Sequence, residues 1–124
     1  MIAVDTSALS AFLKGEPGKG SDRLALALQA GDLRLPPVVI TEILSDPLAS
    51  SVLADLLSQA ELLEIQDGYW QRAGDLRRLV KIKGHKAKTA DALVAQSCID
   101  HQVALITHDA DFRHFVRYGG LKLA

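Results

Sequence analysis

Short apolar segments alternate with longer stretches of helical periodicity along this chain, and few folds accommodate that alternation. Ile2 to Val4 is apolar and ends at once on Asp5, as a buried strand does. Leu9, Phe12 and Leu13 follow at helical spacing, and Gly15 closes that helix. Gly15 to Gly20 reads as a connecting loop. Ser21 or Asp22 then caps a second helix with Leu24, Ala27 and Leu28 inward, ended by Gly31. Leu33 to Leu35 is the next strand. Pro37 suits the first turn of a helix carrying Val39, Ile40, Ile43 and Leu44. Beyond Asp46-Pro47 a further helix has Leu48, Val52, Leu53, Leu56 and Leu57 on its buried side. Leu62 to Ile65 is a strand, and Tyr69 to Ile82 a helix packed through Trp70, Ala73, Leu76 and Val80. Thr89 caps a helix holding Leu93, Val94 and Ile99. Val103 to Ile106 is a strand, Phe112 to Val116 a short helix, and Leu121 to Leu123 a last strand.

Strands that alternate with helices or helix pairs imply a mainly parallel sheet covered on both faces, an α/β/α sandwich in three layers. Residues 1–124 suffice for one such domain. The formal net charge is −1, so a nucleic-acid-binding surface would have to be local. The lone cysteine, Cys98, leaves no internal disulfide and accords with a cytoplasmic protein. No apolar run approaches a membrane span, and Met1-Ile2-Ala3-Val4-Asp5 lacks the basic start of a signal peptide.

The acids matter most. Ligands of such sheets bind beyond the carboxyl ends of the strands, where strand order reverses. Asp5 directly follows the first strand, and Asp109 and Asp111 follow Val103–Ile106. If those strands are neighbours, their acids share one crevice. Asp91 lies in the first turn of its helix, and Glu42 interrupts the apolar run Val38-Val39-Ile40-Thr41-Glu42-Ile43-Leu44. Several carboxylates without soft ligands suit a hard ion such as Mg²⁺ or Mn²⁺, which can activate water against a phosphodiester. Each acid also has an ordinary explanation. Asp91 favours a helix N-terminus, Asp109 and Asp111 favour turns, and Glu42 alone would face solvent. The case rests on the set.

At these positions the chain resembles the PIN-domain ribonucleases, and in particular the VapC-like toxins of VapBC type II toxin–antitoxin pairs. Val4-Asp5-Thr6-Ser7 is similar to the family's opening motif and Val39-Ile40-Thr41-Glu42-Ile43-Leu44 to its second. Asp91-Ala92-Leu93-Val94-Ala95 resembles the third, and Ile106-Thr107-His108-Asp109-Ala110-Asp111-Phe112 the fourth. The resemblance implies a PIN fold and an endoribonuclease dependent on Mg²⁺ or Mn²⁺. Asp5, Glu42, Asp91 and Asp109 would be its catalytic and metal-site carboxylates, and Asp111 a fifth metal candidate. Thr6, Ser7 and Thr107 would support them. The resemblance also implies an RNA substrate, a cognate small antitoxin and a homodimer.

Lys81-Ile82-Lys83-Gly84-His85-Lys86-Ala87-Lys88 leads into Asp91, so Lys83, Lys86 and Lys88 are candidates to hold RNA phosphates. A solvated helix end is the ordinary alternative. Arg113, His114 and Arg117 would extend the patch. Gly15-Glu16-Pro17-Gly18-Lys19-Gly20-Ser21 only hints at a phosphate loop, because the glycine spacing is wrong and a helix precedes it. The four histidines form no HxxxH pair. Tyr69 and Trp70 read as core or dimer anchors, and Cys98 as a small buried residue. Two other functions compete: a catalytically silent PIN-type binding module, and a receiver-like signalling domain. The receiver would want an acidic pair after the first strand, where this chain has one acid.

Overall fold

The computed structural model describes residues 1–48 and 50–124, apart from the side chains at 50, 52 and 53. Its centre is β1 (Ile2–Val4), which is paired on both sides. Ile2 and Ala3 stand opposite Leu33 and Arg34 of β2 (Leu33–Leu35). On the other side Ile2, Ala3 and Val4 stand opposite Ala104, Leu105 and Ile106 of β4 (Ala104–Ile106). β3 (Glu61–Leu62) adds to the far edge of β2, so the order is β3-β2-β1-β4 and every pairing is parallel. A strand flanked on both sides and covered on both faces is apolar throughout, and Ala3 and Val4 are fully buried.

Helices supply the crossovers. α1 (Thr6–Leu13) and α2 (Lys19–Ala30) join β1 to β2, and α3 (Pro37–Leu44) and α4 (Ser50–Gln59) join β2 to β3. α5 (Tyr69–Ile82) and α6 (Thr89–His101) then carry the chain back across the sheet to β4. Right-handed crossovers that travel in opposite directions place their helices on opposite faces, which gives the three-layer sandwich. A 3₁₀ turn (Ala110–Phe112) and α7 (Arg113–Gly119) follow β4. α5 packs along α6 and against α7. The close approach of α7 needs Gly119, where a Cβ would meet Leu76 Cδ1 at 2.7 Å. Among the described residues no helix is long and apolar enough to cross a membrane.

Several local expectations are corrected. α2 begins at Lys19 with Gly18 as its cap, before Ser21 and Asp22, so the end of the expected Gly15–Gly20 loop is helical. Lys88, with no side-chain bond, is the N-cap of α6, and Thr89 is already helical. The expected strand Leu62–Ile65 is Glu61–Leu62, although Leu63 N still donates to Leu35 O. Leu121–Leu123 makes only a parallel bridge, Leu105 to Leu123. Trp70 is 60 % exposed while Tyr69 is buried, its hydroxyl donating to Leu93 O at 2.7 Å. Leu48, Leu57 and Leu44 are exposed, whereas Leu56 is core. The expected inward positions of Val52 and Leu53 lie outside the described side chains.

Phe112 and Phe115 are the largest fully buried side chains, with ring centroids 5.7 Å apart. They seat the turn that carries Asp109 onto the core. Phe112→Ala should therefore cost about 3–5 kcal/mol, the usual range for a buried Phe. A urea midpoint within a tenth of the wild-type value would contradict that packing role.

Candidate active site

β1 and β4 are adjacent, and the chain leaves β1 towards β2 on one side while β4 lies on the other. The carboxyl ends of β1 and β4 therefore flank the switch point. Asp5 sits there, only 4 % exposed. Its carboxylate caps α1 by accepting from Ala8 N at 2.9 Å. Ser7 Oγ donates to its two oxygens at 2.8 and 2.9 Å, and Thr107 Oγ1 donates to Oδ2 at 2.6 Å. These bonds fix the orientation of the Asp5 carboxylate, which accepts all of them. The bond from Thr107 also links the end of β4 to that of β1, as does Ser7 Oγ by accepting from His108 N at 3.1 Å, while Thr107 Oγ1 accepts locally from Asp109 N at 3.0 Å.

The remaining acids arrive on other elements. Glu42, half-buried on α3, accepts from Thr6 Oγ1 at 2.6 Å, so Thr6 serves Glu42 while Ser7 and Thr107 serve Asp5. Asp109 caps the 3₁₀ turn through Asp111 N at 2.9 Å. Asp91 stands in the first turn of α6. Partial burial, then the charge of Asp109, pushes the Asp91 carboxyl up to about 6, with further contributions from Glu42 and Asp5 against the opposing pull of Lys88. All four carboxylates thus share one electrostatic environment. Asp111 is exposed and lies beside Asp91 along the adjoining crevice. Among the described residues no three acidic, histidine or cysteine side chains converge into a ready-made cation cage. The donor set still fits a hard divalent ion, for it is all oxygen, with hydroxyls orienting the acids.

A crevice of about 380 Å³ runs away from Asp91. Arg77 and Lys81 of α5, His85, Lys86 and Lys88 of the following loop, and Phe115 of α7 line it with Asp91 and Asp111. Arg77 Nε donates to Ala87 O at 2.7 Å and so ties the loop to α5. Of the sequence candidates, Lys86 and Lys88 line the crevice. Lys83 caps the end of α5 and Arg113 opens α7, and neither is on this wall. Lys81, which opens the basic stretch, also lines it, whereas Arg77 was missed; its spacing of four residues from Lys81, which puts the two on one helix face, is the signal that could have found it. On the other side of the acids, a crevice of about 220 Å³ between α1 and α3 is lined by Thr6, Leu13, Lys14, Glu42, Ile43 and Leu48, among others. Gly20 of α2 lets His108 lie close, since a Cβ there would meet His108 Nε2 at 2.8 Å.

Comparison with known proteins agrees with this architecture. The PIN domain family model matches residues 2–118. Among solved structures, the chain is similar to one in the crystal structure of VapBC2 from Rickettsia felis bound to a DNA fragment from their promoter. The match has a TM-score of 0.81 at 21 % sequence identity and covers 100 % of this chain and 98 % of the other. At that identity the likeness is one of fold. No curated protein matches the sequence.

Proposed function

Because this chain belongs to the PIN domain family, we propose that it is a metal-dependent endoribonuclease and the toxin of a toxin–antitoxin pair. The observation that carries this reading is the electrostatic influence of Asp109, Glu42 and Asp5 on Asp91, with Asp5 and Asp109 following the adjacent strands β1 and β4. These four would hold Mg²⁺ or Mn²⁺, and Asp111 would hold an outer water or a second ion. When bound, a divalent ion supplies an activated water and charge neutralisation for phosphodiester displacement. The protein's own part is placement. Ser7 and Thr107 hold Asp5 as an acceptor, and Thr6 does the same for Glu42. The test is incubation of RNA with the purified protein in Mg²⁺, Mn²⁺ or EDTA. Cleavage leaving 5′-phosphate and 3′-hydroxyl ends, lost in EDTA and regained with metal, is expected. Binding of RNA without cleavage in either metal would leave the silent-module reading instead.

The basic crevice would grip the RNA backbone. Removing Lys81, Lys86 and Lys88 together should flatten the slope of log affinity against log salt by about 2, since each single-strand phosphate contact releases about 0.7 of a counterion. Lys83→Ala should change the slope far less, because Lys83 is off the crevice wall. Equal effects from Lys83 and Lys86 would return the whole stretch to a solvated surface.

The similar Rickettsia felis structure is of VapBC2, a named pair, and an unrestrained ribonuclease would harm its host. We therefore assign a small antitoxin to this chain as partner. Leu9, Leu24, Val39 and Ile43 are core, but Leu44 is 53 % exposed, and Leu48, 89 % exposed, lines the crevice that reaches Glu42. An amphipathic antitoxin helix would cover this face, and an Arg or Lys from its tail would enter among the carboxylates. The reading also includes a homodimer in the cytoplasm, which co-purification with the adjacent short gene product and light scattering would test.

A further inference from the structure

The crevice on the α1–α3 side of the acids differs in kind from the basic one. Leu13 of α1, the buried Ile43 of α3 and Leu48 beyond its end make the walls apolar. The polar groups are Thr6, Ser10, Glu42 and Asp46, and Lys14 is the one cation on the wall among the described residues. Asp46 is exposed, and a local turn holds its carboxylate, where Oδ1 accepts from Leu48 N at 3.0 Å. A carboxylate presents about four acceptor positions, so most of those on Asp46 remain open. Thr6 and Glu42 join this crevice to the acidic centre, because both line it and Thr6 Oγ1 donates to Glu42. An RNA strand cut at that centre leaves it on two sides. The basic crevice suits the phosphates on one side. On the other, Glu42 and Asp46 repel phosphate, whereas an uncharged base with apolar faces and a polar edge matches these walls.

We propose that the α1–α3 crevice is a base pocket that takes one guanine beside the cleaved phosphodiester, its ring against Leu13, Ile43 and Leu48 and its N1–H and amino group donating to Asp46. The proposal rests on the ribonuclease reading and gives it a sequence preference. Guanine alone among the four bases offers two adjacent N–H donors on its pairing edge, the pattern that the two oxygens of a carboxylate accept. Adenine and cytosine place a ring acceptor beside their amino group, and uracil flanks its one N–H with two carbonyls. Each of these would set a lone pair against the Asp46 charge. A volume of about 220 Å³ lies below the roughly 300–1,000 Å³ of sites for drug-sized ligands, which restricts the pocket to one base. Lys14, exposed at the C-terminal end of α1, is placed to meet the phosphate of that nucleotide. An antitoxin helix on this face would close the pocket to RNA, so the two occupants compete.

The test has two arms. In the first, RNA of random sequence is cleaved in Mg²⁺ or Mn²⁺ and the product ends are sequenced. Guanine should be enriched at one position next to the cut. Asp46→Asn keeps the turn, since its amide oxygen still accepts from Leu48 N, but it sets one acceptor and one donor against the two donors of guanine. The enrichment should fall about tenfold, as loss of one bidentate base contact does. In the second arm the trinucleotides UGU, UAU, UCU and UUU are titrated in EDTA, where no metal-dependent cleavage competes. The amide resonances of Ser10, Lys14 and Asp46 are followed by NMR. UGU should shift them at about tenfold lower concentration than the others do, and Asp46→Asn should remove the difference. Equal shifts from all four trinucleotides, or a guanine enrichment unchanged in a folded Asp46→Asn variant, would overturn the pocket. Cleavage without base preference removes the pocket alone. Asp46-dependent shifts with UGU and no cleavage remove the nuclease and keep the pocket.

Discussion

Asp5→Asn should reduce RNA cleavage by about a hundred- to a thousandfold or more, the range lost when one preorganised charge-stabilising group is removed, and should leave the fold intact. Asp5 is the one acid of the site that is buried, and it is held by four side-chain and backbone bonds. Its charge is placed at the switch point with no freedom to be supplied by another rotamer. Asn matches Asp as a helix N-cap, so the bond from Ala8 N survives. The hydroxyls of Ser7 and Thr107 can turn to accept from the new amide. What disappears is the anionic oxygen. The measurement is cleavage in Mg²⁺ beside circular dichroism and a melting curve. Loss of activity with a Tm within a few degrees of wild type supports the role. Undiminished cleavage that resists EDTA would sink it, and a collapse of the fold would make Asp5 structural only.

The route from sequence to this site ran through few residues. Ile2 to Val4 followed at once by Asp5 is legible because a three-residue apolar strand has nowhere to go but the middle of a sheet. The same logic puts Asp109 after β4, and the β1–β4 neighbourhood then brings the two together. Local cap chemistry was less legible. Gly18 and Lys88 cap α2 and α6 without side-chain bonds, so the Ser, Asp and Thr that usually mark such ends were read as caps in their place. β3 is only two residues long and at an edge, where apolar runs need not pair, and beyond the bond from Leu63 N the chain leaves the ladder. Trp70 shows that helical spacing marks a face without saying whether anything covers it. The stacking of His85 on His114 was least legible of all, since the two are far apart in sequence and meet only because α7 folds back onto α5.

Asp91→Asn should show two effects of opposite sign. Cleavage should fall by about a hundredfold, in line with loss of one charge-stabilising group, while the metal-free protein becomes more stable. The stability argument follows from proton linkage. The folded Asp91 carboxyl titrates at about 6, above its usual 3.8, because burial and Asp109 disfavour its charge. The native state thus binds more protons than the unfolded chain between those values. The contribution is complete below pH 3.8 and is lost as pH rises to about 6. At pH 7 in EDTA the wild type carries the full destabilisation, and the variant, with no charge to bury, carries none. Allowing for solvent screening on a half-exposed group, the difference is about 1 kcal/mol, or a few degrees in Tm. The gap between variant and wild type should close near pH 4. It should also narrow when Mg²⁺ or Mn²⁺ is added, because binding to the native acids stabilises the wild type by mass action. Melting curves of both proteins from pH 4 to pH 7, with and without metal, decide the matter. A variant less stable than wild type at pH 7 in EDTA, or a gap that ignores pH, would mean that Asp91 is satisfied by its own helix N-terminus and that the four carboxylates do not act as one site.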